Sequence, residues 1–195
     1  MTAETSSIER VPQQEAVGRP WWTLPVLVVV VALLGLLAYG MWAADRSQLV
    51  DGPVPNLTLQ TFEGEQIALH DLTGTPVVLN FWASWCRECD KEMAWLQQAS
   101  EQYEGELLVL GVAHVDTERA SREYLARYGI TYPAGPDLGA RFSDAFRIKG
   151  VPETFFINRD GIIEGMHLGP LEQADLDYWV VRLVMEPVAH RESGE

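Results

Sequence analysis

Cys86 and Cys89 are the only two cysteines of the chain, and two residues separate them. A thiol pair at that spacing can cycle between dithiol and disulfide, supply half of a zinc site, close a short structural bridge, or be buried with no role. Zinc needs further ligands, and His70, His114, His167 and His190 are scattered singly with no second paired motif. A structural bridge over so short a loop contributes little entropic stabilisation. Redox chemistry is favoured by the neighbourhood. Pro76 to Trp82 is an apolar run ending in aromatics, as suits a strand buried on both faces, and Met93, Leu96 and Ala99 then recur at helical spacing between Glu88 and Tyr103. The pair therefore stands where a strand turns into a helix. There the unpaired N–H groups and the helix dipole favour a thiolate on the first sulfur. Cys86 is the expected nucleophile. Cys89, about one turn further in and better shielded, is placed to attack a mixed disulfide on Cys86 and release the reduced substrate.

The elements that must hold this pair follow from the rest of the pattern. Alternation at Leu57, Leu59 and Phe62, a Glu63-Gly64-Glu65 turn, and Ile67 with Leu69 predict a β-hairpin ahead of the first long strand. Glu106 to Val115 reads as a second buried strand, and Thr117 to Tyr128 as a helix that Thr117 or Asp116 can cap. Gly139 to Phe146 is a short helix. Glu153–Asn158 and Ile162–His167 are strands joined by Arg159-Asp160-Gly161, and Glu172 to Val184 is an amphipathic closing helix. The order predicts an α/β fold with a mixed central sheet, helices on both faces and an N-terminal hairpin.

Ahead of this domain, Trp21 to Ala44 carries no charge, and Trp21, Trp22, Tyr39 and Trp42 sit near the ends of the stretch. A helix of that length spans a bilayer, and aromatics favour its interfaces. A cleaved signal peptide is the alternative, with small residues at Ala38 and Gly40, but the apolar run is longer than a signal core of roughly 7–15 residues. An uncleaved anchor is expected. Arg10 and Arg19 precede the span and Arg46 follows it, a small bias that puts the N-terminus inside and the domain outside. The expected organisation is a cytoplasmic tail at 1–22, a transmembrane helix at 23–44, a linker at 45–55, the catalytic domain at 56–187 and a tail at 188–195.

Phe81-Trp82-Ala83-Ser84-Trp85-Cys86-Arg87-Glu88-Cys89 resembles the active-site segment of the thioredoxin superfamily. Gly150-Val151-Pro152-Glu153-Thr154-Phe155-Phe156-Ile157 resembles the segment that carries that superfamily's cis-proline, in wording closest to membrane-anchored ResA/TlpA-like and cytochrome c maturation reductases. The likeness covers about Asn56 to Met185. It implies a thioredoxin-like fold and a redox-active Cys86–Cys89 disulfide. It also implies a cis Val151–Pro152 bond whose backbone can pair with a substrate strand. Trp85 becomes a partly exposed platform for a partner, with Trp82 packed beneath. Trp95 and Trp179 read as packing residues. The buried Asp of thioredoxin is replaced by Asn80, which cannot titrate. The resemblance implies that Glu92, three residues after Cys89, assists proton transfer as general base, against the alternative of a solvated surface Glu. Arg87 favours a Cys86 thiolate and Glu88 opposes it, so their net effect has no readable sign.

A formal charge of −14 repels phosphate backbones, and nucleic acid is not an expected partner. No cofactor and no metal site are expected. The resemblance implies a protein-disulfide reductase at the cell membrane, single-pass, with its domain on the periplasmic side. Its partners would be a protein disulfide, with apocytochrome c the leading candidate, a membrane electron donor, and lipid around residues 23–44. A broader reductase of exported proteins and a copper-site metallochaperone are the alternatives. Copper chaperones of related fold space their cysteines by three residues, and the spacing here is two. A peroxidase would need a lone cysteine in a Thr-x-x-Cys setting, which is absent.

Overall fold

The computed structural model describes residues 23–44 and 49–185, with side chains left out at 40–44. The expected tail 1–22, residues 45–48 of the expected linker and the tail 188–195 lie outside the described residues. The chain divides into two units, Met1–Arg46 and Ser47–Glu195.

In the first unit, helix α1 (Thr23–Ala44) is 22 residues of almost wholly apolar sequence. Its leucines and valines are exposed. Among the described residues no helix is long and apolar enough to cross a membrane.

In the second unit, strands β1 (Thr58–Gln60) and β2 (Gln66–Ala68) form the expected antiparallel hairpin. The main sheet comprises β3 (Val77–Trp82), β4 (Leu108–Ala113), β5 (Ala134–Pro136), β6 (Glu153–Ile157) and β7 (Ile163–Leu168) in the order β5-β4-β3-β6-β7. β4 runs parallel to β3 and to β5, whereas β6 is antiparallel to both β3 and β7. The sheet is therefore mixed, and the fold is thioredoxin-like. All six residues of β3 are buried, which is why its sequence shows no polar alternation.

One face of the sheet, through Leu79, Phe81 and Phe155, packs on the hairpin's Leu59 and Ile67 and on Phe142 and Phe146 of α4 (Arg141–Phe146). The other face, through Val78 and Phe156, packs on Leu96 and Ala99 of α2 (Met93–Gln102) and on Leu176, Val180 and Leu183 of α5 (Gln173–Met185). Each fully buried side chain of this size stabilises by about 1.5–3 kcal/mol, so the two layers account for most of the drive to fold. Trp179 stacks on Phe156 at 4.6 Å between centroids and lies so near Gly165 that a Cβ there would collide with the indole. Trp95 is partly buried against the same layer. Both act as packing residues.

Helix α3 (Glu118–Tyr128) begins where expected: the Thr117 hydroxyl accepts the N–H of Ala120 at 3.3 Å, and Gly129 closes the helix with φ 63°. Three boundaries differ from the sequence pattern. Strand β5, whose surroundings read Tyr-Pro-Ala-Gly-Pro, shows no strand signal and forms because β4 offers it a ladder. Asp51, Pro53 and Val54, within the stretch read as linker, are bonded to Gly161, Ile162 and Ile163 at the domain's edge. The helix after the cysteines also starts late. Residues Cys89–Lys91 form a 3-10 turn, and α2 begins only at Met93. The tighter bonds Lys91 N to Glu88 O and Glu92 N to Cys89 O delay the α ladder, which opens with Leu96 N donating to Glu92 O.

Candidate active site

The strands β3, β4 and β7 end at one pole of the sheet and β6 begins there, so the loops that follow or precede them meet. Cys86 and Cys89 stand at this pole, joined by a disulfide with Cα atoms 5.4 Å apart. Cys86 is 6 % exposed and Cys89 is fully buried, so only the first sulfur can be reached from solvent. The N–H of Cys89 points at the Cys86 Sγ from 3.1 Å. That donor, held by the 3-10 turn, stabilises a Cys86 thiolate once the bridge is reduced. The late start of α2 corrects the sequence expectation at this point. The thiolate is served by a local amide in place of the first turn of a long α-helix.

The Val151–Pro152 peptide is cis, and the Val151 carbonyl oxygen lies 3.6 Å from the Cys86 Sγ. In the dithiol state the Cys86 thiol can donate to that carbonyl. The segment ahead of Val151 is folded by Glu153, a buried carboxylate whose Oε1 accepts the N–H groups of Lys149 at 2.7 Å and Gly150 at 3.0 Å.

Glu92 is fully buried where the 3-10 turn meets α2, three residues after Cys89. The solvated-surface alternative is thereby removed. Its Oε1 accepts from Asn80 Nδ2 at 2.8 Å and its Oε2 from the Leu171 N–H at 2.7 Å. Burial penalises the charged form and raises the carboxyl pKa to about 7, against the two hydrogen bonds, which lower it. Asn80, fully buried in β3, donates its second N–H to Thr154 Oγ1 at 2.9 Å, and its own Oδ1 has no partner. Tyr132 is held protonated above its ordinary range by burial and by the nearby Glu92 charge. The titratable group beneath the disulfide thus sits on the helix, and the strand supplies a neutral partner that cannot compete for its proton.

On the outer side, Trp85 is 60 % exposed and its indole Nε1 donates to the Val115 carbonyl at 3.0 Å. Trp82 is fully buried and stacks on Tyr124 of α3 at 5.1 Å. Asp116 accepts the Ser84 N–H at 2.6 Å and the Ser84 hydroxyl at 2.9 Å, so the loop after β4 clips the loop that carries Cys86. In sequence Asp116 offers only a cap signal, and Thr117 takes that role. Glu88 pairs with Lys91. Among the described residues no group of three or more His, Cys, Asp or Glu could hold a metal ion.

A recessed Cys-x-x-Cys pair with a directed amide, a cis-proline loop and a buried carboxyl at a thioredoxin-like strand end makes this protein a thiol-disulfide oxidoreductase. Residues 50–166 match the AhpC/TSA family, and the chain belongs to that family. The thiol-disulfide oxidoreductase ResA of Halalkalibacterium halodurans is 32 % identical over 157 residues, covering 80 % of this chain and 89 % of the relative. ResA of Bacillus subtilis is 27 % identical over 151 residues, covering 76 % and 84 %. Among solved structures, DsbF of Mycobacterium tuberculosis superposes with a TM-score of 0.62 at 26 % identity, over 67 % of this chain and 98 % of that one. A thiol:disulfide interchange protein of the thioredoxin family from Chlorobium tepidum gives 0.63 at 25 % identity, over 72 % and 99 %. The chain is a ResA/CcmG-like member of its family.

Proposed function

We propose that residues 23–44 anchor this chain in the cell membrane, that the domain works on the extracytoplasmic side, and that it reduces protein disulfides there. The haem-site Cys-x-x-Cys-His disulfide of an apocytochrome c is its leading substrate. An uncharged stretch the length of Trp21–Ala44 is what a hydrocarbon core of about 30 Å asks of a spanning sequence. The uncharged sequence Trp21–Ala44, with Arg10 and Arg19 before it and Arg46 after it, supports both the anchor and its orientation. A membrane electron donor of thiol-reductase type would return the electrons.

The observation that carries the reading is Glu92, a fully buried carboxyl held by Asn80 and the Leu171 N–H three residues beyond the resolving cysteine, where burial pushes its pKa up to about 7. In the proposed cycle the Cys86 thiolate attacks one sulfur of the substrate disulfide. A Cys86–substrate disulfide forms, and the other substrate sulfur leaves as a thiolate that takes a proton. Cys89 then gives its proton to Glu92 and attacks the Cys86 Sγ. The Cys86–Cys89 bond forms, and the second substrate thiol leaves. Two electrons pass to the substrate, and the enzyme ends as the disulfide seen here. Trp85 and the Val151–Pro152 backbone hold the substrate strand.

The equilibrium reduction potential in a glutathione or dithiothreitol buffer tests the direction. A value near or below about −250 mV is expected, and one near about −120 mV would make the protein an oxidant and end the cytochrome maturation reading.

A further inference from the structure

Helix α5 carries two apolar stripes. Leu176, Val180 and Leu183 are buried in the layer that packs on Val78, Phe156 and α2. Tyr178, Val181 and Met185 stand in solvent at 60 %, 49 % and 76 % exposure, and Ala174, one turn ahead of Tyr178, is exposed as well. At about 100° per residue the second stripe centres roughly 165° from the first, so it runs along the opposite side of the helix. A helix on the surface of a domain needs one apolar stripe for its core and is polar elsewhere. The outer stripe serves no packing within this domain.

The spacing from Ala174 through Tyr178 and Val181 to Met185 is four, three and four residues, the a/d repeat of a coiled-coil seam. In that repeat Tyr178 and Met185 take position a, Ala174 and Val181 take d, Asp177 takes g and Arg182 takes e. Asp177 and Arg182 lie on the two flanks of the seam, roughly 140° apart around the axis, so they do not meet within one helix. Arg182 stands five positions after Asp177, the offset at which a g side chain meets the e side chain of a parallel partner. A second copy therefore presents arginine where this one presents aspartate, on both flanks at once. An antiparallel pair would bring the two copies of Asp177 to the same flank. Arg182 is also held in place: its guanidinium lies over the Trp179 ring at 5.6 Å and its Nε donates to Glu164 at 3.3 Å, with the side chain 43 % exposed.

We propose that the outer face of α5 is a self-association surface on which a second copy of this chain seats its own α5 in parallel, with Tyr178, Val181 and Met185 in the seam and Asp177 against the partner's Arg182. The 13 residues of α5 rise about 20 Å, and so short a seam buries less than the roughly 1,200 Å² of a lasting interface. The dimer is accordingly weak, with a Kd on the order of 10 μM, and forms where the chains are concentrated. The stripe contains none of the residues bonded to Cys86, Cys89 or Glu92, so each copy keeps a complete site.

The test is sedimentation equilibrium of the full chain in detergent micelles, with the chain concentration taken from about 1 to about 100 μM. The native chain should pass from one to two copies with a midpoint on the order of 10 μM. Val181→Glu should raise that Kd at least about tenfold while the thermal midpoint and the rate on hydroxyethyl disulfide stay at the native values. Asp177→Arg sets arginine against arginine and Arg182→Asp sets aspartate against aspartate, so each alone should stay monomeric. An equimolar mixture of these two variants should recover the dimer, because both ion pairs return. Arg182→Asp also loses Glu164 and Trp179; if it does not fold, Val181→Glu and Asp177→Arg decide the matter alone. A native chain still monomeric at about 100 μM would assign the stripe to another protein and overturn the pairing. So would an association that Val181→Glu or Asp177→Arg leaves intact, which would come from another part of the chain or from another helix orientation, or a mixture no tighter than its two folded components.

Discussion

Asn80, Glu92 and Thr154, on the inner side of the disulfide, are fully buried, whereas Trp85 and Val115, on its outer side, leave 60 % and 70 % of their surface in solvent. The inner group is polar and the outer group is apolar, the reverse of the usual partition between core and surface. The difference follows from what each side has to do. A carboxyl is moved to a pKa of about 7 only where water is excluded, since desolvation is what raises it. A partner, in contrast, is recognised only by side chains that it can reach. Cys86 and Cys89 divide the same way, one at the edge of solvent and one sealed.

The largest effects should come from the sulfurs. Cys86→Ser is expected to abolish turnover of any disulfide substrate, and Cys89→Ser to leave attack intact but block release, so that mixed disulfides accumulate. Non-reducing gels and intact-mass measurement separate the two outcomes. Full reductase activity in Cys86→Ser would sink the mechanism and, with it, the distinction between a reachable and a sealed sulfur.

Glu92→Gln comes next. Removing the proposed base of the resolving step should slow it by about a hundredfold and erase an inflection near pH 7 in single-turnover rates. Stability should move the other way. The folded pKa of about 7 lies above the ordinary 4.5, so the native state keeps a proton that the unfolded chain releases. Stability is then full below about pH 4.5, falls as pH rises through about 7, and levels off beyond, by about 3 kcal/mol in total. Glu92→Gln should remove that slope and be more stable than the native protein at pH 8 in urea unfolding. The orphaned Asn80 Oδ1 lets the substitution fit, because turning the Asn80 amide presents an acceptor to the new N–H₂. A native protein whose stability is flat from pH 5 to 8 would contradict the buried titration.

Asn80→Leu sharpens the same point with a smaller effect. It removes the side-chain hydrogen bond that lowers the Glu92 pKa and leaves desolvation unopposed there. The inflection of the resolving step should rise by about one unit. An unmoved inflection would mean that the Leu171 N–H alone sets the charge on Glu92.

The inner and outer sides were unequally legible in the sequence. Cys86 and Cys89, the uniformly apolar β3, the Asp160-Gly161 turn and the Thr117 cap could be read because each is local chemistry within a few residues. Glu92 could be suspected from its distance to Cys89, but its burial could not, since a glutamate among helix-forming residues reads as surface. The acceptor role that fixes its charge involves Leu171, 79 residues away, and a backbone N–H leaves no trace in residue type. Strand β5 was hidden for a similar reason: its order comes from the β4 ladder, against a composition of Pro, Ala and Gly. Val115 carries no sign of its left-handed φ of 45°, because that angle is imposed by the loop around it.

Asp116 offers the mildest test of how the outer side is held. Its carboxylate accepts from the Ser84 N–H, the Ser84 hydroxyl and the Thr117 N–H, all in a partly solvated loop. Water can replace it at each donor, so Asp116→Ala should cost only about 1 kcal/mol of stability. The more informative readout is positional. Without the clip, Ser84 and Trp85 keep the indole bond to Val115 as a tie to the neighbouring loop, and kcat/KM for a protein disulfide should fall about two- to fivefold through KM. The inner side should not notice: the pH 7 inflection that reports Glu92 should stay where it is, since Glu92 is bonded to Asn80 and Leu171 whereas Asp116 is bonded to Ser84 and Thr117. If Asp116→Ala moved that inflection, the two sides of the disulfide would be coupled through the Ser84 loop, and the separation of proton chemistry from recognition would fail at the residue that joins them.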